Sequence, residues 1–247
     1  MRLLLTRPVE EADALKAKLE AKGFEVLCLP LIEIKPPLDR GALLKKALDH
    51  IDHYDWLILT SQNAVRVLRS CLKKIPPKLK IAAIGKATAR AAQQAGWAPL
   101  TPQQENGAEG LIEFFTGKPL QGKRILYPRS QIGMETLVNA LLEKGAHVDV
   151  VEAYQTQSSS VSSQELEGVL EKGVEGILFY SPSAVSSFFR KISKKNPLLK
   201  KMTFIPFGKT TAFVLKKEGV QPAFVPSKPD EDVLIEKIKK FFTNAPE

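Results

Sequence analysis

The sequence predicts an α/β protein built twice from one unit, each copy carrying a parallel sheet covered by helices. Short apolar runs alternate with amphipathic stretches along the chain, the pattern of strands and covering helices. The two halves align with each other at a nearly constant offset. Hydrophobic residues make up 44% and charged residues 26% of 247, a globular composition that is neither disordered nor fibrous. That length accommodates one large domain or two of ordinary size.

The repeat is read from ordered landmarks. LLTRPVEEADALKAKLEAKGFEVLCLP from Leu4 aligns with LYPRSQIGMETLVNALLEKGAHVDVVE from Leu126, an offset of 122 that sets Arg7 on Arg129, Gly23 on Gly145 and Val26 on Val148. TSQNAV from Thr60 falls on YSPSAV from Tyr180 at an offset of 120, and AAIGKATARAAQQAG on IPFGKTTAFVLKKEG at 123, with Gly85 on Gly208. The copies divide near Gly122, and duplication predicts two domains.

Taken in order, residues 3–6 form the first strand. Pro8 opens a helix whose apolar Ala12, Leu15 and Leu19 share one face until Gly23 ends it. Residues 24–29 return as a strand. The same logic makes strands of 56–60, 81–84, 124–127, 148–151, 176–180 and 203–207, with helices between. Weaker runs near Ala98 and Ala223 would bring each copy to roughly five strands. Breaks at Lys35-Pro36-Pro37 and over residues 157–163 follow the second strand of each copy and are the places for linkers.

Thirty-six basic against twenty-seven acidic residues give +9 and favour an anionic partner. The excess is spread evenly, +5 over residues 1–121 and +4 over the remainder, with no basic arm and no aromatic RNA-binding motif. A small polyanion is therefore expected rather than nucleic acid, and Lys191, Lys194, Lys195, Lys200 and Lys201 read as solvated helix faces. Two cysteines build no disulfide framework and no zinc site. The first residues lack the apolar core of a secretion signal, and no apolar stretch approaches the ~20 residues of a bilayer span. The expectation is a cytoplasmic protein.

In open parallel sheets, ligands bind beyond the carboxyl ends of the strands, where helix N-termini present unpaired N–H groups. Thr60-Ser61-Gln62-Asn63 and Ser181-Pro182-Ser183 lie at such ends, each able to cap a helix or to hold a carboxylate or phosphate. Gly85-Lys86-Ala87-Thr88 and Gly208-Lys209-Thr210-Thr211 resemble a phosphate-binding loop, but the glycine required five residues earlier is Lys80 in one and Thr203 in the other. Nucleotide hydrolysis is thus disfavoured, and without a GxGxxG a dinucleotide is unsupported. What these segments retain is a glycine turn and a threonine. His50, His53 and His147 form neither a metal set nor a triad with a nucleophile. Cys28 reads as a buried thiol inside a strand. Tyr154, following the strand 148–151, is placed either to donate a proton into a cleft or to pack as an interdomain tyrosine.

LLTRP at Leu4, TSQNAV at Thr60, AIGKAT at Ala83, ILYPRS at Ile125, AYQT at Ala153, YSPSAV at Tyr180 and FGKTTA at Phe207 together resemble the uroporphyrinogen-III synthase family over almost the whole chain. The resemblance implies two flavodoxin-like parallel-sheet domains joined by two extended linkers, with segment exchange between the repeats: residues 1–36 with 158–247 in one domain and 37–157 in the other. Two crossings imply a hinged cleft. The implied activity is that of a cyclising hydro-lyase, closing hydroxymethylbilane to uroporphyrinogen III with inversion of ring D and loss of water, in tetrapyrrole and haem synthesis. No cofactor and no metal are implied. Monomeric behaviour and a transient hand-over from hydroxymethylbilane synthase are expected, with neither nucleic acid nor membrane as partner.

Residue by residue, the resemblance makes Tyr154 the proton donor. It assigns carboxylate binding to Arg7, Ser61, Asn63, Thr88, Glu109, Ser181, Ser183, Lys209, Thr210 and Thr211. Asn63 stands where some relatives carry Arg, and Lys209 where some carry Pro, so charge pairing there departs from the family pattern. Loss of the Tyr154 hydroxyl is expected to slow turnover many-fold, and single changes at Ser61 or Thr88 far less. The alternative reading is a non-catalytic two-domain small-anion-binding protein, since hinged α/β pairs also describe solute receptors.

Overall fold

Leu3, Leu4 and Leu5 are all fully buried in the first strand, which requires a sheet covered on both faces. The computed structural model describes residues 1–72, 74–102, 107–131, 133–228 and 230–243. In chain order they form β1 (Arg2–Leu5), α1 (Val9–Glu20), β2 (Glu25–Cys28), β3 (Ile32–Lys35), α2 (Ala42–Asp49), β4 (Trp56–Leu59), α3 (Gln62–Cys71) and β5 (Lys80–Ala83). There follow α4 (Lys86–Gln94), β6 (Pro99–Leu100), α5 (Gly107–Phe114), β7 (Arg124–Ser130), α6 (Glu135–Glu143) and β8 (His147–Ser158). The chain continues through α7 (Ser163–Leu170), β9 (Gly176–Phe179), α8 (Pro182–Lys191), β10 (Thr203–Pro206), α9 (Lys209–Lys217) and α10 (Glu231–Thr243).

The chain divides into two units, Met1–Glu33 with Gln157–Glu247, and Ile34–Thr156. The first holds a sheet of order β10-β9-β1-β2 whose pairings are all parallel. Leu3 and Leu5 point into a core with Ala12, Leu15 and Leu19 of α1 and Leu234, Ile235 and Ile238 of α10. Leu4 points the opposite way, toward Leu166 and Leu170 of α7, Phe188 of α8 and Leu215 of α9. Adjacent side chains serve opposite faces because a strand alternates at every residue.

The second unit repeats this plan in the order β3-β8-β7-β4-β5-β6. Leu57 and Leu59 join a core with α2, α3 and α4, whereas Trp56 and Ile58 pack toward Leu111 of α5 and Leu137 of α6. Gly23 and Gly145, aligned in the repeat, both turn the chain at positive φ, 87° and 77°.

One expectation is revised. The run near Ala98 does pair, as β6 beside β5, but the run near Ala223 forms no strand and keeps one backbone bond, Ala223 N–H to the Phe204 carbonyl at 3.0 Å. Over 157–163, where the chain passes from one unit to the other, β8 runs on to Ser158, and Ser162 and Glu165 form a reciprocal capping box on α7. Residues 32–35 are likewise strand, set beside β8.

Candidate active site

In the Ile34–Thr156 unit, parallel pairing brings the carboxyl ends of β4, β5, β7 and β8 to one edge. Ser61 leaves β4 in extended backbone and caps α3, its Oγ accepting the Ala64 N–H at 3.1 Å. Tyr154 reaches the same oxygen from β8, donating its hydroxyl to Ser61 Oγ at 2.8 Å. With two donors already on that oxygen, the serine's own hydrogen is left to point elsewhere, so the pair presents a donor rather than an acceptor.

A local irregularity aims Tyr154. Arg129 pairs with Glu152, but the next residue, Ser130, pairs with Tyr154, so Ala153 is an extra residue in the β7–β8 ladder. The bulge cancels the alternation: Ala153 and Tyr154, though adjacent, join one core with Leu44, Leu48 and Val65. The Tyr154 ring is anchored there, 8% exposed, while its hydroxyl ends on the α3 cap.

Asn63, one turn into α3, accepts a hydrogen bond from Arg66 Nη1 at 3.1 Å. That bond sets a guanidinium beside Asn63, from a helical neighbour three residues on. Gly85 starts α4 with φ 83°, and Thr88, in the first turn, is 5% exposed. Glu109 stands exposed in the first turn of α5.

The other unit carries the matching equipment. Ser181 caps α8 as Ser61 caps α3, accepting the Ala184 N–H at 3.2 Å, and Ser183 follows within the first turn, half-buried. At α9, Lys209 and Thr210 are exposed, whereas Thr211 is 2% exposed, the counterpart of Thr88. Arg7 is not a free cation. It is buried, with Nη2 on Glu11 at 2.9 Å and Nη1 on Glu231 at 3.0 Å, and lies over the Tyr180 ring, 4.2 Å from its centroid. Burial works against its charge, but Tyr180, Glu11 and Glu231 outweigh that and hold its pKa above the ordinary arginine value. Burial likewise pushes the Tyr180 phenol well above the usual tyrosine range.

Among the described residues no cluster of three or more His, Cys, Asp or Glu could hold a metal ion, and no helix is long and apolar enough to cross a membrane. Hydroxyl-capped helices at the carboxyl ends of parallel strands are the equipment of an α/β protein that takes an anionic small molecule. Its family is narrower than that class. The family described as "Uroporphyrinogen-III synthase HemD" matches residues 13–236, and the chain belongs to it. A uroporphyrinogen-III synthase from Synechococcus elongatus is 34% identical over 196 residues, 75% of this chain and 72% of that protein. In fold, a crystal structure of a mutant uroporphyrinogen III synthase from Thermus thermophilus matches with a TM-score of 0.63 at 22% identity, over 98% of this chain and 99% of that one. The uroporphyrinogen-III synthetase of Helicobacter pylori matches with 0.62 at 20% identity, over 96% and 98%.

Proposed function

We infer that the chain catalyses the reaction for which its family is named, closing hydroxymethylbilane to uroporphyrinogen III with inversion of ring D and release of one water. The observation that carries this reading is the hydrogen-bonded Tyr154–Ser61 pair at the carboxyl edge of β4 and β8, in a chain matched by the family over residues 13–236. Closure requires the hydroxymethyl C–O bond to break and a C–C bond to form. The departing hydroxide leaves as water only if a proton reaches it.

Ser61 O–H delivers that proton, and Tyr154 replenishes it through the 2.8 Å bond, so the two side chains act as one donor. The cation left on the bilane is then attacked by the substituted carbon of ring D to give a quaternary centre; the bond from that centre to the neighbouring bridge carbon breaks, the bridge is recaptured at the unsubstituted carbon of ring D, and the proton lost there restores the one given up by the Tyr154–Ser61 pair. The scaffold's further task is orientation: carboxylate arms held on the N-termini of α3 and α4 and by Arg66 keep that carbon, and not its unsubstituted rival, near the cation in the first attack. Asn63 belongs to this set, and Ser181, Ser183, Lys209 and Thr210, at the N-termini of α8 and α9, are the matching carboxylate-binding residues of the other unit. Thr88 and Thr211, buried in the first turns of α4 and α9, shape those N-termini from below. Arg7 serves through its ion pairs as a fixed post rather than a direct ligand. Flavodoxin-like domains that exchange segments between the repeats, working as a monomer, complete the reading.

The test supplies hydroxymethylbilane to the purified protein and separates the type III from the type I product by chromatography. Type III in excess supports the reading. Type I alone, as free bilane gives in water, refutes it.

A further inference from the structure

A cavity of about 960 Å³ opens within the Ile34–Thr156 unit, walled by residues 34–37, 40 and 41, by α2, by the C-terminal half of α3 and by Ala153 and Tyr154 of β8. Its size is that of a site for a drug-sized molecule, roughly 300–1,000 Å³. The walls are apolar, formed by Ile34, Leu44, Leu48, Val67 and Leu72. The mouth is cationic: Lys35, Arg40, Lys45 and Lys74 are exposed there against a single acid, Asp49. Among the described residues Arg40, Lys45 and Lys74 make no ion pair. Like charges gathered at an apolar opening repel one another, and an anion seated among them relieves that repulsion.

The rim is held in an uncommon backbone state. Arg40 has φ 55°, the one non-glycine at positive φ among the described residues. The Asp39 carboxylate secures that turn by accepting the Gly41 and Leu43 N–H groups at 2.9 and 2.8 Å. A non-glycine residue is kept left-handed only where its surroundings over-determine it, and such positions cluster at ligand clamps. The result sets the Arg40 side chain at the mouth.

We propose that this cavity is a second binding site, for an amphipathic carboxylate with a rigid apolar body and its charge at one end. The apolar walls exclude an acid whose carboxylates surround the whole molecule, because charges pressed against Leu44 and Leu48 would lie buried without partners. The cavity thus shares the Tyr154 ring with the proposed proton donor, but its apolar lining makes it chemically distinct from a surface that grips a many-armed substrate.

Deoxycholate, kept below its micellar concentration, is the probe. Titration calorimetry reads its affinity, and Cys71, an exposed thiol lining the cavity, reads its location through the rate of alkylation by iodoacetamide. The expected result is one saturable site, slowed alkylation of Cys71 with that of half-buried Cys28 unchanged, and affinity lost in Val67→Trp, which fills the cavity. The doubly reversed Lys45→Glu, Lys74→Glu protein alters only exposed side chains and weakens binding by about tenfold or more, as does the neutral methyl ester of the probe. No saturable binding, an unprotected Cys71, or equal affinity in the charge-reversed protein overturns the proposal.

Discussion

Replacing Tyr154 by Phe removes one oxygen and leaves the ring in its core, so the structural and the chemical consequences separate by size. As a neutral hydrogen bond, the 2.8 Å contact to Ser61 contributes about 0.5–1.5 kcal/mol to stability, a shift of roughly tenfold at most in the folding equilibrium. As part of a proton donor, the same hydroxyl is worth about 10²–10⁴-fold in rate. Tyr154→Phe should therefore melt within a few degrees of the parent while turnover of hydroxymethylbilane falls by at least about a hundredfold. The serine is removed as Ser61→Gly, because glycine at a helix N-cap costs only a few tenths of a kcal/mol relative to serine. If the two hydroxyls pass a single proton, Ser61→Gly falls by a similar factor and the double variant falls no further than the worse single one, the signature of residues acting as a unit. This is a larger loss at Ser61 than the sequence alone implied, and it follows from the shared hydrogen bond. Initial rates with type III and type I product separated decide the matter. A Tyr154→Phe enzyme within about threefold of the parent, or single losses that multiply in the double variant, would refute the relay.

Arg7→Met removes the buried guanidinium from its ion pairs with Glu11 and Glu231 and should cost about 3–5 kcal/mol, read from urea unfolding, with an unchanged slope. The Tyr54 hydroxyl donates to Asp149 at 2.6 Å, and burial, then that hydrogen bond, push its pKa up to about 12. Its folded value lies above the unfolded value near 10, so the stability it brings is whole below pH ~10 and drains away as pH climbs toward 12. Tyr54→Phe should flatten that alkaline fall in a melt series and remove a late-ionising step from the phenolate absorbance. Gly85→Ala forces a side chain into a left-handed position at the start of α4 and should cost about 1–2 kcal/mol, although only Thr88 Oγ1, at 3.9 Å, lies near the added carbon. Calorimetric melting measures it.

Strand and helix identities were legible wherever both faces of a strand are buried, as in the runs around Leu4 and Leu57, because a continuous apolar run followed by an amphipathic stretch has few other readings. The weaker run at Ala223 keeps one backbone bond to Phe204 and forms no strand, since pairing depends on a neighbour that the run itself does not encode. The helix caps at Ser61 and Ser181 were readable for the same local reason. The aim of Tyr154 was not: it depends on the bulge at Ala153, a mismatch between β7 and β8 that is visible only once the two strands are in register. Arg7 shows the converse. Its place at the end of β1 was legible, but its ion pair with Glu231 joins residues 224 apart, beyond any local pattern.

Strand β1 lies between β2, which follows it closely, and β9, some 170 residues downstream. During synthesis the stretch Ile34–Thr156 is complete while the partner that finishes the first sheet is still untranslated. The middle of the protein is thus a finished body on the ribosome while Met1–Glu33 waits, and the apolar run Leu3–Leu5 within it is closed on its second edge only when Gly176–Phe179 emerges. Any slowing of translation between those two points lengthens the interval in which Leu3, Leu4 and Leu5 lack their cover, and aggregation of nascent chains is the failure to which this order of manufacture is most open.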